Sequence, residues 1–205
     1  MPVIAPDHRR TAVLELARRY TWDERHSRQV ARLALGFFDQ AAELHGLGGD
    51  DRDLLECGAL LHDIGGHVSA DDHHKHTAYL IENSRLRGFG PDEIAMLACL
   101  GRFHRRGELK PGYAPYRLLP PDHRDRVAVL VALLRLADGL DRSHRQVVDG
   151  ADLVVDDGRA SLRFEARGDA ELELWSSRRK AELFETVFAC RLSVEVKRSR
   201  RLAAV

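Results

Sequence analysis

The hydrophobic period changes once along this chain, and that change limits the folds open to it. From Asp7 to about Leu140 apolar residues recur every three to four positions, as on an amphipathic helix. After about Val147 they alternate with polar residues, as on a strand with one buried face. The pattern predicts a mainly α fold: a helical bundle over residues 1–146, then a small α+β annex over 147–205.

Within the first part, Leu14 and Leu16–Ala17 mark a short opening helix, and Val30, Leu33, Ala34, Phe37, Phe38 and Ala41 a second, begun at about Asp23. Gly46, Gly48 and Gly49 end it. A third runs from Asp51 to a stop at Gly65–Gly66, and a fourth from about Asp71 to Leu86. A fifth opens at Pro91 with Asp92 and Glu93 in its first turn, where the helix dipole favours them. Gly107, Pro111, Gly112, Pro115, Pro120 and Pro121 make 107–121 a loop without periodicity, of a length usually tied to function or mobility. A long helix follows from about Asp122 past Leu136. In the annex, Leu153 and Val155 and then Leu162, Phe164 and Ala166 read as two strands about an Asp157–Gly158 turn. Leu172 and Leu174 read as a third strand, Leu183, Phe184, Val187 and Phe188 as a helix, and Leu192, Val194 and Val196 as a last strand, giving β-β-β-α-β. Lys197 to Arg201 form a basic tail, read as a solvated terminus.

At 44% hydrophobic residues the 205-residue chain can bury a core. Lys+Arg and Asp+Glu both number 32, so no global charge argues for a nucleic-acid or membrane partner. The three cysteines, Cys57, Cys99 and Cys190, lie far apart in apolar surroundings and read as buried thiols of a reducing compartment. The N-terminal residues carry no apolar signal region, and the longest apolar run, Val127 to Leu134, is too short to span a bilayer. The expected setting is the cytoplasm.

The strongest chemical signal is Leu60-Leu61-His62-Asp63-Ile64-Gly65-Gly66, an apolar helix ending in an imidazole and a carboxylate. Neighbours on a helix point about 100° apart, so the two converge only on something between them. A metal ion accepting nitrogen and oxygen is the simplest such object; a helix terminus with His62 on the dipole and Asp63 as a cap is the alternative. Asp138 ends an apolar run broken only by Arg135, so its carboxylate needs a cation, either a metal or a neighbour such as Arg135 or Arg142. His26, His76 and His104 are weak signals singly. Their order is stronger: His26, His62–Asp63, His76, His104, Asp138, on successive helical elements.

That order resembles the HD-domain metal-dependent phosphohydrolases, with His76 and His104 resembling the extra pair of two-metal members. The stretches LLHDIGGHVS, HHKHTAYLIENSRLRGF, RFHRRG and LLRLADGLDRSH resemble the C-terminal half of the exopolyphosphatase/guanosine-pentaphosphate phosphohydrolase family. ELELWSSRRKAELFETVF is similar to the small domain that follows it, and the likeness spans about residues 10 to 197. The resemblance implies one or two divalent ions (Mn, Fe, Zn or Mg) held by His26, His62, Asp63 and Asp138, with His76 and His104 for a second. Asp63 and Lys75 are then assigned to catalysis. Lys75, Arg102, Arg105, Arg106, Lys110 and Arg142 would meet the substrate, with loop 107–121 covering the site. The family's glycine-rich, actin-like phosphatase region has no counterpart in these residues, so its exopolyphosphatase activity is not expected here.

Two functions are carried forward. One is a metal-dependent phosphohydrolase acting on a phosphate ester or anhydride, with a nucleotide as the leading class. The other is a non-catalytic module that binds polyphosphate or a guanosine alarmone, alone or beside a separate catalytic subunit. A scaffold that forms a homodimer through the annex is the remaining alternative.

Overall fold

The computed structural model describes residues 6–156 and 158–197. Asp157 of the turn signal and all but Lys197 of the basic tail lie outside the described residues.

Among the described residues eight α-helices come first: α1 (Pro6–Arg19), α2 (Glu24–Gln40), α3 (Ala42–His45), α4 (Gly49–Leu61), α5 (His73–Glu82), α6 (Pro91–Phe103), α7 (Ala114–Leu118) and α8 (Pro121–Gly139). Then come β1 (Val148–Asp156), β2 (Arg159–Ala166), α9 (Glu171–Val187) and β3 (Arg191–Lys197). The result is a mainly α chain with a small sheet, and the first strand begins where the period changes.

α8 is the axis of the bundle. Val127, Leu130, Val131, Ala132, Leu133, Leu134, Leu136 and Ala137 are fully buried, so this helix is enclosed almost all round. α2 and α6 pack beside it, α4 packs on both, α1 lies on α4, and α5 lies on α6. α9 crosses back onto α8, and β1 lies along α2. One hydrophobic core, from Val13 to Val194, runs through helices and annex alike.

Local chemistry sets the element ends. The Asp23 side chain accepts the His26 backbone N–H at 3.1 Å and starts α2. Gly46, at φ 63°, takes the left-handed position that ends α3. The helix expected to continue to Gly65–Gly66 stops at Leu61 and gives way to a 3₁₀ turn, Ile64–His67. His62 and Asp63 therefore sit at a helix exit, where their side chains leave the helical register.

β2 is the central strand, antiparallel to β1 and parallel to β3. Asp156 pairs with Arg159, and Gly158 just before Arg159 has φ 72°, as a tight hairpin requires.

The expected third strand does not form: Leu172 and Leu174 lie in the first turns of α9. Its buried face is Glu173, Ser176, Ser177, Ala181 and Phe184, a helical repeat written mostly in polar and small residues. A hydrophobic pattern cannot display such a face. Glu173 is buried because its carboxylate accepts the Ser143 backbone N–H at 2.9 Å. The loop 107–121 likewise contains a helix, α7.

Candidate metal centre

Three helix C-termini and the N-terminal turns of α2 and α5 meet in a pocket of about 520 Å³. α4 ends at His62, α6 at His104 and α8 just beyond Asp138, while α2 brings His26 from its first turn. His26 is 1% exposed, His62 0%, His104 2% and Asp138 7%.

The ring hydrogen bonds define which nitrogens face the pocket. His62 Nδ1 donates to the Ala59 carbonyl at 2.7 Å, and His26 Nδ1 donates to Asp141 Oδ2 at 2.9 Å. Both acceptors lack protons, so both Nδ1 atoms carry one. The two Nε2 atoms then present lone pairs, and they stand 3.2 Å apart. Asp138 Oδ1 lies 3.6 Å from one and 4.0 Å from the other. The arrangement repeats a few ångströms away. His104 Nδ1 donates to the Gly101 carbonyl at 2.8 Å and His73 Nδ1 to the Ala70 carbonyl at 3.1 Å. Their Nε2 atoms again face each other at 3.2 Å, with Asp63 Oδ1 3.2 Å from that of His73.

Bare lone pairs repel at this distance. A cation or a proton between each pair makes the geometry favourable, and nitrogen pairs flanked by a carboxylate are suitable donors for a divalent transition ion. An imidazole anchored through its other nitrogen to a carboxylate or carbonyl is the usual support of a metal-binding histidine. Three sets of donor atoms each lie within 4.8 Å of one another: His26, His62 and Asp138; His26, Asp63 and His144; and Asp63, His73 and His104.

Electrostatics keep most of the cluster in ligand form. Burial and the neighbouring His26 charge hold His62 below the usual imidazole range, and burial and His62 push His104 well below it. Burial also opposes charge on His26, but the Asp141 hydrogen bond and the Asp138 and Asp141 charges outweigh it and raise this ring. The opposite directions of these shifts favour His26 over His62 for any further proton shared by their Nε2 atoms. Burial alone would raise Asp138; Lys180 and the surrounding histidines outweigh it and depress the carboxyl strongly.

The pocket brings together His26, Asp63, His104, Arg105, Arg106, Asp138 and Arg142 of the residues expected from sequence, with His62 buried behind them. It does not bring in His76. The buried stripe of α5 is Thr77, Ala78 and Ile81, which extends back by one turn to His73 rather than to its neighbour His76. Lys75 is exposed and paired with Asp72 at 2.6 Å. Arg102 and Lys110 line a different groove with loop 107–113, so that part of the expected cover also lies elsewhere.

Several site residues gave no usable sequence signal. His144 stacks on His26 with ring centroids 3.7 Å apart, held by Asp23 at 3.0 Å. Lys180 pairs with Asp138 Oδ2 from α9, and Trp175 and Arg179 line the same wall. Asp141 was the legible one: it follows Asp138 by one turn, and its second carboxylate oxygen accepts the Gln146 backbone N–H at 2.7 Å.

Among the described residues no helix is long and apolar enough to cross a membrane. Comparison with known families matches residues 8–177 to the Ppx/GppA phosphatase, domain III, model, a span that includes every ligand candidate and stops three residues before Lys180. Because that match takes in most of the chain, the protein belongs to the Ppx/GppA phosphatase domain III family.

Proposed function

We propose that this chain is a metal-dependent phosphohydrolase of the HD type, cleaving a phosphate ester or anhydride of a small molecule in the cytoplasm. The observation that carries the reading is the doubled lone-pair geometry: two Nε2–Nε2 approaches of 3.2 Å, all four Nδ1 atoms committed, and a carboxylate beside each pair. His26, His62 and Asp138 would hold one divalent ion, and Asp63, His73 and His104 a second. A bound divalent ion supplies charge for phosphate oxygens and makes water acidic enough to attack near neutral pH.

The chain's own groups supply the rest. Asp141 and the Ala59, Ala70 and Gly101 carbonyls hold the imidazole rings in one tautomer and orientation. Lys180 neutralises Asp138 Oδ2 and leaves Oδ1 turned to the histidines. Arg105, Arg106, Arg142 and Arg179 line the mouth, and among the described residues none forms an ion pair. Their charge is available to a phosphate approaching the ions. Lys75 has no place in this scheme.

Elemental analysis of wild type beside Asp63→Ala tests the reading. Two equivalents of transition metal in the wild type, reduced in the variant, and phosphate release from a panel of phosphate esters by the loaded protein are expected. Protein that stays metal-free after exposure to manganese, iron and zinc overturns it. The match to domain III of a phosphatase favours, as the second reading, a non-catalytic module for polyphosphate or an alarmone. Salt-sensitive binding of tripolyphosphate without turnover would select that reading.

A further inference from the structure

A second groove, of about 1010 Å³, opens between the 102–113 segment and the last turns of α9. It meets the metal pocket only at Arg106 and Glu182. Its floor holds Arg135, the one charge in the apolar run of α8. This guanidinium is 5% exposed and donates through Nε to the Phe103 carbonyl at 2.7 Å and through Nη2 to the Gly107 carbonyl at 2.6 Å. Among the described residues no carboxylate forms an ion pair with it, and only Glu182 offsets its charge, from beyond ion-pair distance, although burying a cation without a close partner is costly. Burial lowers its pKa to about 10, so it remains charged at neutral pH.

The rest of the groove combines cations with flat apolar surface. Arg102 lies over the Tyr113 ring at 5.8 Å, and the Phe103 ring meets Tyr113 edge-on at 5.7 Å. Tyr113 is fixed by donating its hydroxyl to Glu82. Leu183 and Val187 of α9 form the facing wall. Of the three acidic residues lining the groove, Asp72 is held by Lys75 and Glu108 by Lys110. Glu182 is left to face Arg135, against Arg102, Arg106 and Arg135 without ion pairs.

The geometry points to a second ligand site, for a small organic anion with a flat apolar body. The body lies between the Phe103–Tyr113 rings and Leu183, and the anionic group meets Arg135 and Arg102. Apolar walls with a few convergent charges are the ordinary make-up of a small-molecule site. This site needs no metal, and it gives a place to Arg102, which the metal pocket does not use.

The anionic fluorophore 8-anilinonaphthalene-1-sulfonate, which has this shape and charge, tests the assignment on the folded chain. One saturable site per chain is expected, undisturbed by tripolyphosphate. Leu183→Glu, which puts a like charge in the apolar wall, should weaken binding at least about tenfold. Arg102→Glu should do the same from the cationic side without touching the loop anchor at Arg135. Circular dichroism melting confirms that each variant is folded. Absence of saturable binding, displacement by tripolyphosphate, or unchanged affinity in both folded variants overturns the assignment. None of these outcomes bears on metal content, so the site and the metal centre stand or fall separately.

Discussion

On one side of the candidate metal pocket His26, His62 and His104 are no more than 2% exposed, each ring pinned through its second nitrogen; on the other, Trp175 of α9 is 53% exposed and Arg179 lies over its ring in solvent. The histidine floor is part of the bundle's core. The cationic rim is a helix face set down on that core by the annex. Ligand atoms need fixed directions, which dense packing provides. Phosphate-facing charges need reach and hydration, which an exposed helix provides. Asp138 joins the two, with one oxygen to the floor and the other to Lys180 of the rim.

Breaking that junction should cost most. Asp138→Asn leaves Lys180 without its buried partner and is expected to destabilise the fold by about 3–5 kcal/mol in chemical denaturation. It should also remove the ion held by His26 and His62. A variant that keeps full stability and both ions would show that floor and rim are independent.

The next largest effect separates the two histidine pairs within the floor. A Cβ at Gly65 would lie 2.1 Å from the His73 carbonyl and 2.3 Å from the Thr77 nitrogen, both backbone atoms. Gly65→Ala must therefore push α5 away, at about 1–3 kcal/mol. Metal content should fall from two equivalents to one, because His73 moves while His26 and His62 do not.

Lys180→Met approaches the same junction from the rim and leaves Asp138 to the histidines and their ions. Metal content should hold, while KM for a phosphate substrate rises about tenfold through lost charge, equivalent to roughly 1.4 kcal/mol. Loss of metal instead would assign Lys180 to the floor.

The smallest effect tests how tightly α4 closes on the core around Cys57. Burial pushes the Cys57 thiol up to about 12, so iodoacetamide labelling of folded protein should stay slow at pH 8. The unfolded thiol ionises near 9 and the folded one does not. The stability this group contributes is thus complete below pH 9 and is lost as pH rises from 9 towards 12. Rapid labelling at pH 8 would show that α4 opens locally.

Apolar spacing and chain punctuation were enough to predict the helices around the site and the switch to strands near Val147, and residue order singled out His26, His62, Asp63, His104 and Asp138, which the fold brings together. Periodicity reports which face of an element is buried, and a charged residue ending an apolar run reports a partner it must have. Where the buried face is itself polar, as at Glu173, Ser176 and Ser177 of α9, the same rule reads a helix as a strand. Only the tertiary structure sets His73 rather than His76 beside His104, because that depends on the angle at which α5 meets the Gly65 turn. Only it moved Arg102 and Lys110 to a separate groove and brought Lys180, Trp175 and Arg179 across to the histidines. Those contacts join residues far apart in the chain, and their direction is set by how α9 packs on α8, which no local pattern encodes.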